Sequence, residues 1–211
     1  MNNAILIQQV YSGSPYSNLL RLSFSRHCDY AMRHKMDMQI VMSDVDPSFD
    51  QMRGSWAKIA LIRNALEGGY PSVFWVDADA LIVDRDTDLR TVFDEMGDSL
   101  IGACQHPGPP IHLNVGVMFY KNSPRTIDFV RAWLAQANEP NGRWMEQGVF
   151  NQMRESPDWA DVVCRVGDKW NATYYAGTDC DNPIIRGYHG AASITPVMRF
   201  QAMRADLAKV K

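Results

Sequence analysis

The sequence predicts an α/β fold, a mostly parallel open sheet flanked by helices. Three observations carry this reading. Apolar runs of strand length alternate with segments of helical period in the order strand, helix, strand, helix, strand. The helical segments begin and end on capping signals, as with Ser55 before an apolar stripe and Gly68-Gly69 after it. The run Ser72-Val73-Phe74-Trp75-Val76 is continuously apolar, the pattern of a strand buried on both faces. Strands of this kind are joined in parallel by right-handed crossovers.

The first strand spans Ala4 to Tyr11 and is closed by Ser12-Gly13-Ser14-Pro15, where Ser14 and Pro15 have the form of an N-cap and a first helical residue. The helix after it runs to about Lys35, with Leu19, Leu22, Ala31 and Met32 among its apolar positions. Met38 to Met42 is a second strand that empties into the polar loop Ser43-Asp44-Val45-Asp46-Pro47. A second helix covers Ser55 to Glu67, with Ile59, Ile62 and Leu66 as its stripe, and the central strand follows.

Asp88 to Met96 reads as a short helix and Ser99 to Cys104 as a strand. His106 to His112 is a rigid proline-rich loop whose two histidines lack ligand spacing. Leu113 to Tyr120 is a core strand interrupted by Asn114 and Gly116. A glycine inside a strand marks either a bulge or the close approach of a ligand or backbone. Ser123-Pro124 opens a helix to about Ala137, and the turn Asn141-Gly142 leads into Trp144 to Gln152, which sets Glu146, Gln147 and Asn151 among apolar neighbours. Val162 to Val166 and Trp170 to Tyr175 are short strands, and Ile184 to Gly190 is a last one ending at His189. Thr195-Pro196 starts a basic final helix with Val197, Phe200, Leu207 and Val210 on the side that packs on the domain. With no linker, repeat or low-complexity segment, residues 1–211 read as one domain.

A hydrophobic share of 46% with six tryptophans supplies a real core and excludes general disorder. The net charge of -3 gives no whole-chain electrostatic case for nucleic acid. Four scattered cysteines lack metal-ligand spacing and fit reduced thiols. No apolar run reaches membrane-spanning length, and the N-terminus lacks a secretory pattern, so the expected location is cytoplasmic.

The chemistry concentrates where the central strand ends. Asp77 and Asp79 stand one residue apart just beyond Val76, and in extended chain such positions point the same way. Two carboxylates converging at the mouth of a sheet suit a hard divalent cation, Mg²⁺ or Mn²⁺. The alternative is a pair of solvated turn aspartates. In an open parallel sheet ligands bind beyond the carboxyl ends of the strands, where these residues fall.

Five segments in order resemble the GT-A glycosyltransferases, enzymes with a Rossmann-like sheet and an Asp-x-Asp motif, and most of all the retaining branch that contains glycogenin and the galactosyl-, xylosyl- and mannosyltransferases. They are Trp56-Ala57-Lys58-Ile59, Phe74 to Asp79, Leu113-Asn114-Val115-Gly116-Val117, Glu146-Gln147-Gly148 and His189-Gly190. The resemblance implies a GT-A fold and transfer of a sugar from a UDP- or GDP-linked donor to a hydroxyl acceptor, which could be a glycan, protein, lipid precursor or modified nucleobase. It further implies metal ligation by Asp77, Asp79 and His189, donor contacts by Lys58, Asp77, Tyr11 and Gly116, and a sugar pocket lined by Asn114, Glu146 and Gln147 as catalytic residues. The chain departs from the pattern after His189, where Gly190-Ala191-Ala192 replaces the lysine that grips the diphosphate, with Arg186 and Arg199 as substitute cations.

Two other functions compete. A haloacid-dehalogenase-like phosphatase also places Asp-x-Asp after an apolar strand, with the first Asp as nucleophile. Its motif lies nearer the chain start, and no later Gly-Asp-x-x-x-Asp follows here. A non-catalytic binder of nucleotide sugars or glycans is the other.

Overall fold

A computed structural model of the protein describes residues 3–11, 16–43, 54–108, 112–138, 145–175, 180–189 and 193–209. The capping pair Ser14-Pro15, the loop of residues 44–47, the turn Asn141-Gly142, Trp144, Gly190 and Val210 lie outside this set. The first half alternates as expected: β1 (Ile5–Tyr11), α1 (Ser17–Arg33), β2 (Asp37–Ser43), α2 (Gly54–Glu67) and β3 (Ser72–Val76). After β4 (Ala80–Ile82) come α3 (Val92–Met96), β5 (Ile101–Gln105), β6 (Leu113–Lys121), α4 (Pro124–Ala135) and α5 (Met145–Arg154). The chain finishes with β7 (Val163–Val166), β8 (Ala172–Thr173), β9 (Ile185–Gly187) and α6 (Pro196–Lys209).

Six strands form the central sheet in the order β2-β1-β3-β6-β5-β7. β6 runs antiparallel to both its neighbours, and the other five share one direction. The period of two along each strand divides the core between the faces. Ile5, Ile7, Val73 and Trp75 turn to one face with Trp56, Ile59 and Ile62 of α2 and with Phe129, Trp133 and Phe150 of α4 and α5. Leu6, Phe74 and Val76 turn to the other, with Tyr30 and Ala31 of α1 and Val92 and Met96 of α3. At about 1.5–3 kcal/mol for each large side chain fully buried, this two-sided core is the main term holding the sheet. Ser123 caps α4 by accepting from the Thr126 N–H, with Pro124 at the first position, as its sequence requires.

β4 leaves the central sheet. It joins a three-stranded sheet in the order β4-β9-β8, antiparallel to β9, which itself runs parallel to β8. Asp77 and Asp79 therefore lie in the crossing from one sheet to the other. The Trp170 to Tyr175 strand is shorter than expected, because residues Asp168–Trp170 form a 3-10 turn before β8.

The final helix packs on α1 and the small sheet through Met203 and Ala202, flanked by Phe200 and Leu207. Val197, expected on the packed side, is 65% exposed. The rotation of α6 is set by a polar anchor instead. Buried Asp206 accepts from Arg186 Nη1 at 2.9 Å, Tyr188 Oη at 3.0 Å and Lys209 Nζ at 3.0 Å. Burial alone would raise the Asp206 carboxyl, but these donors outweigh it and hold it below the ordinary value.

Asp206→Ala leaves a buried guanidinium without its carboxylate and is expected to cost about 3 kcal/mol, read by urea denaturation at pH 7. Because the folded carboxyl lies below the unfolded one, its contribution is present above roughly pH 4 and is lost as pH falls further. The wild-type advantage over the alanine variant should therefore shrink in acid and be flat from pH 6 to 8.

Candidate active site

The irregularity around Gly116 creates the site. The β5–β6 register shifts between Ala103 and Gln105, so that β6 carries extra residues between Leu113 and Met118. Backbone groups of such a bulge lose their ladder partners and need others. Three of the four find them in side chains and one in the Asp77 backbone. The Val115 N–H donates to Gln147 Oε1 at 3.2 Å, and Val115 O accepts from Lys58 Nζ at 3.3 Å. The Gly116 N–H donates to Asn114 Oδ1 at 2.8 Å, and Gly116 O accepts from the Asp77 N–H at 2.7 Å. Gly116 also permits the close approach, since a Cβ there would lie 2.9 Å from Asn114 Oδ1 and 3.1 Å from Asp77 Oδ2. The bulge reading of the interrupted strand holds, and what approaches Gly116 closely is a pair of side chains, Asn114 and Asp77.

A cavity of about 280 Å³ opens beyond the carboxyl ends of β1 and β3. Asp77, Asp79, Lys58, Glu146 and Arg199 border it, so three carboxylates meet two cations. Lys58 projects from α2, its ammonium 5.7 Å from the Trp75 ring centroid. Three acceptors surround that ammonium: Asp77 Oδ1 at 3.3 Å, Glu146 Oε1 at 3.2 Å and Val115 O at 3.3 Å. An ammonium has three protons, and each has a protein partner here. Burial pulls Lys58 down, but the charges of Asp77 and Glu146 outweigh it and hold Lys58 above its ordinary value. Trp75 Nε1–H donates to the same Asp77 Oδ1 at 2.7 Å. Burial pushes Asp77 up to about 6, with Lys58 and the Trp75 N–H opposing and the Asp79 and Glu146 charges adding to the rise.

Asp79 accepts from Arg199 of α6 in a nearly buried ion pair, their side chains 11% and 12% exposed. Its backbone oxygen accepts from the Tyr188 N–H at 2.8 Å, which ties the β9 end to the carboxylate loop. His189 then meets the Thr173 hydroxyl through Nε2 at 3.0 Å. Burial holds its imidazole below the usual range, opposed by Asp79 and assisted by Arg199, so the ring is neutral at pH 7. Gly187 makes room for it, because a Cβ there would lie 2.7 Å from His189 Nδ1 and 2.5 Å from Asn171 Oδ1. His106 stacks beside His189 with ring centroids 5.7 Å apart, and His112 stacks on His106 at 4.5 Å. Two histidines without ligand spacing in sequence are thus brought beside His189 by folding, none of the three bordering the cavity.

The donor set of Asp77, Asp79 and a neutral imidazole suits Mn²⁺ or Mg²⁺ by its chemistry. As arranged, Asp77 is engaged by Lys58 and Asp79 by Arg199, and among the described residues no three His, Cys, Asp or Glu side chains are grouped so as to hold a metal ion. The two carboxylates are the part of the set that faces the cavity.

Asn114 and Gln147 stand behind the cavity wall. Asn114 Oδ1 accepts from Asn171 Nδ2 at 2.9 Å as well as from the Gly116 N–H, and Gln147 holds the bulge backbone. Asn151 pairs its amide with Leu113 N–H and O at 2.7 and 2.9 Å, which docks α5 on β6. Tyr11 closes β1, and its side chain lies outside the described set. Gln9, Tyr16, Ser55 and Trp75 border the cavity without having been singled out as site residues. Only the position of Gln9 and Trp75 near strand ends could have marked them.

Residues 3–101 match the galactosyl transferase GMA12/MNN10 family. The chain is similar to an uncharacterized alpha-1,2-galactosyltransferase of Schizosaccharomyces pombe, 35% identical over 80 residues that cover 36% of this chain and 21% of the relative. It is also similar to a rice protein, "Probable glycosyltransferase 7" of Oryza sativa subsp. indica, 26% identical over 188 residues that cover 79% of this chain and 40% of the relative. The chain thus spans well under half the length of these curated relatives. Its structure superposes on a crystal structure of a glycosyltransferase involved in the glycosylation of the major capsid of PBCV-1, with a TM-score of 0.72 and 13% identity over 96% of this chain and 99% of that one. The chain has the GT-A glycosyltransferase fold and resembles that group in sequence.

Lys58→Met removes the cation between two carboxylates and is expected to destabilise the fold by about 3 kcal/mol at pH 7.5 in urea denaturation. With Lys58 gone, the Asp77 carboxyl is pushed further up. A carboxyl raised in the folded state favours folding more as pH falls, so the deficit should narrow at pH 5. A deficit independent of pH would show that Lys58 acts through packing alone.

Proposed function

We propose that the protein transfers a sugar from a UDP- or GDP-linked donor to an acceptor hydroxyl, as a single metal-dependent domain and with retention of anomeric configuration. The observation that supports this best is the convergence of Asp77, Asp79, Lys58 and Glu146 on one cavity at the carboxyl edge of a GT-A sheet. A galactosyl donor is the first to test, because the fission-yeast relative is named as a galactosyltransferase.

Asp77 and Asp79 would hold Mn²⁺ or Mg²⁺, and His189 is the nearby imidazole of the set. The bound ion would supply Lewis-acid stabilisation of the departing diphosphate. Asp77 Oδ1 is taken up by Trp75 and Lys58, which leaves Oδ2, beside Gly116, as the oxygen for a cation. Lys58 opposes the rise of the Asp77 carboxyl and holds Asp77 and Glu146 in place by its ion pairs. Glu146, at the first turn of α5 and bordering the cavity, offers negative charge toward positive charge developing at an anomeric carbon. Gln147 and Asn114 act through the β6 backbone, which they shape.

Asp79→Asn is expected to abolish transfer, measured as release of nucleoside diphosphate, while circular dichroism shows the fold retained. Full activity in this variant would remove the metal assignment. Metal binding needs the Asp77 carboxylate, whose proton competes below about pH 6, so Mn²⁺ affinity should fall by up to about tenfold per unit below that value and level off above it. NMR of the product anomeric proton decides the stereochemistry, an inverted configuration refuting retention.

A further inference from the structure

Arg199 occupies one oxygen of Asp79, a carboxylate that the proposed metal would need. Its guanidinium pairs with Asp79, the two side chains are almost fully withdrawn from water, and both border the cavity. The arginine stems from the first turn of α6, and its guanidinium carbon lies 5.5 Å from the Tyr16 ring centroid. Nε adds a weak bond to Ile194 O at 3.4 Å. Among the described residues, this cation is the one in ion-pair contact with Asp79.

A guanidinium does not lose its proton in any accessible pH range, so it cannot step aside as a neutral group. A dication arriving on the same carboxylate would repel it at contact distance in a site too dry to screen either charge. Lys58 tolerates that repulsion beside Asp77 because three acceptors hold it. Arg199 has Asp79 and one 3.4 Å bond to Ile194 O, so Arg199 is the cation that a dication displaces. Moving Arg199 out without a new anion would strand a buried charge. A doubly charged diphosphate entering the cavity supplies that anion, and the planar fork of the guanidinium matches phosphate oxygens.

We propose that Arg199 is an exchangeable placeholder: it occupies Asp79 in the empty site, yields the carboxylate to a divalent cation, and turns to the diphosphate of the incoming nucleotide. This rests on the glycosyltransferase reading above. Metal and nucleotide bind cooperatively for a reason built into α6, since each removes the cost of the step the other requires.

The test is Mn²⁺ binding to the ligand-free protein, followed by electron paramagnetic resonance of free Mn²⁺, with and without UDP or GDP. Arg199→Gln is expected to bind Mn²⁺ alone about tenfold more tightly than wild type, equivalent to about 1.4 kcal/mol. Its gain in Mn²⁺ affinity on adding the nucleotide should be smaller than that of wild type. Arg204→Gln, which removes an exposed charge from the same helix, controls for net charge and should change neither quantity. If Arg199→Gln binds Mn²⁺ no more tightly than wild type, or if Arg204→Gln tightens it equally, the exchange is wrong while the metal site stands. If neither wild type nor Arg199→Gln binds Mn²⁺, the metal reading fails and the exchange falls with it.

Discussion

The site depends on one buried ammonium. Lys58 reaches from α2 to Asp77 after β3, to Glu146 on α5 and to the carbonyl of Val115 in β6. Four elements distant in sequence meet at that nitrogen. A lysine is costly to bury, and two carboxylates are costly to bury together, but the three offset one another. The arrangement holds only while all members are present, so it fixes the spacing of the acidic groups around the cavity more firmly than hydrophobic packing alone would.

The bulge in β6 is the backbone counterpart of that charge cluster. A regular strand would have used the Val115 and Gly116 amides in its ladder and kept Asp77 at the distance a side chain imposes. The extra residues release those groups to Gln147, Asn114, Lys58 and Asp77. Polar side chains that might be read as substrate contacts thus spend their hydrogen bonds on shaping the wall. Glu146 and Gln147 are adjacent, yet one borders the cavity and the other clamps the strand behind it.

The small sheet and α6 close the opposite side. β4 carries the chain out of the main sheet directly after Asp79, and β9 returns beside it to deliver Tyr188 and His189. Asp206 sets the rotation of α6 through Arg186 and Tyr188, and that rotation is what brings Arg199 to Asp79. A structural ion pair at one end of the helix therefore places the Arg199 guanidinium beside Asp79 at the other.

Much of this was legible in the residues. The apolar runs specify the strands and helices of the main sheet, because periodicity is a local property of the chain. The cap expected at Ser55, by contrast, does not form: α2 already begins at Gly54, and Ser55 Oγ has no hydrogen-bond partner among the described residues. The placement of Asp77 and Asp79 at the end of a doubly buried strand follows from the same pattern, as does the anomaly at Asn114 and Gly116. Pairing is not local. Nothing in the spacing of Lys58, Glu146 and Val115 says that they share one proton donor, nor does the spacing of His106 and His112 place them beside His189. The exposure of Val197 and the turn of Arg199 toward Asp79, 120 residues away in sequence, likewise come from the anchor at Asp206, in a basic helix that reads as ordinary surface. The sequence by itself determined which segments form the sheet and where its acidic edge lies; the tertiary structure decided which charges neutralise one another, because that depends on distances set by the packing of whole elements and not by any stretch of chain.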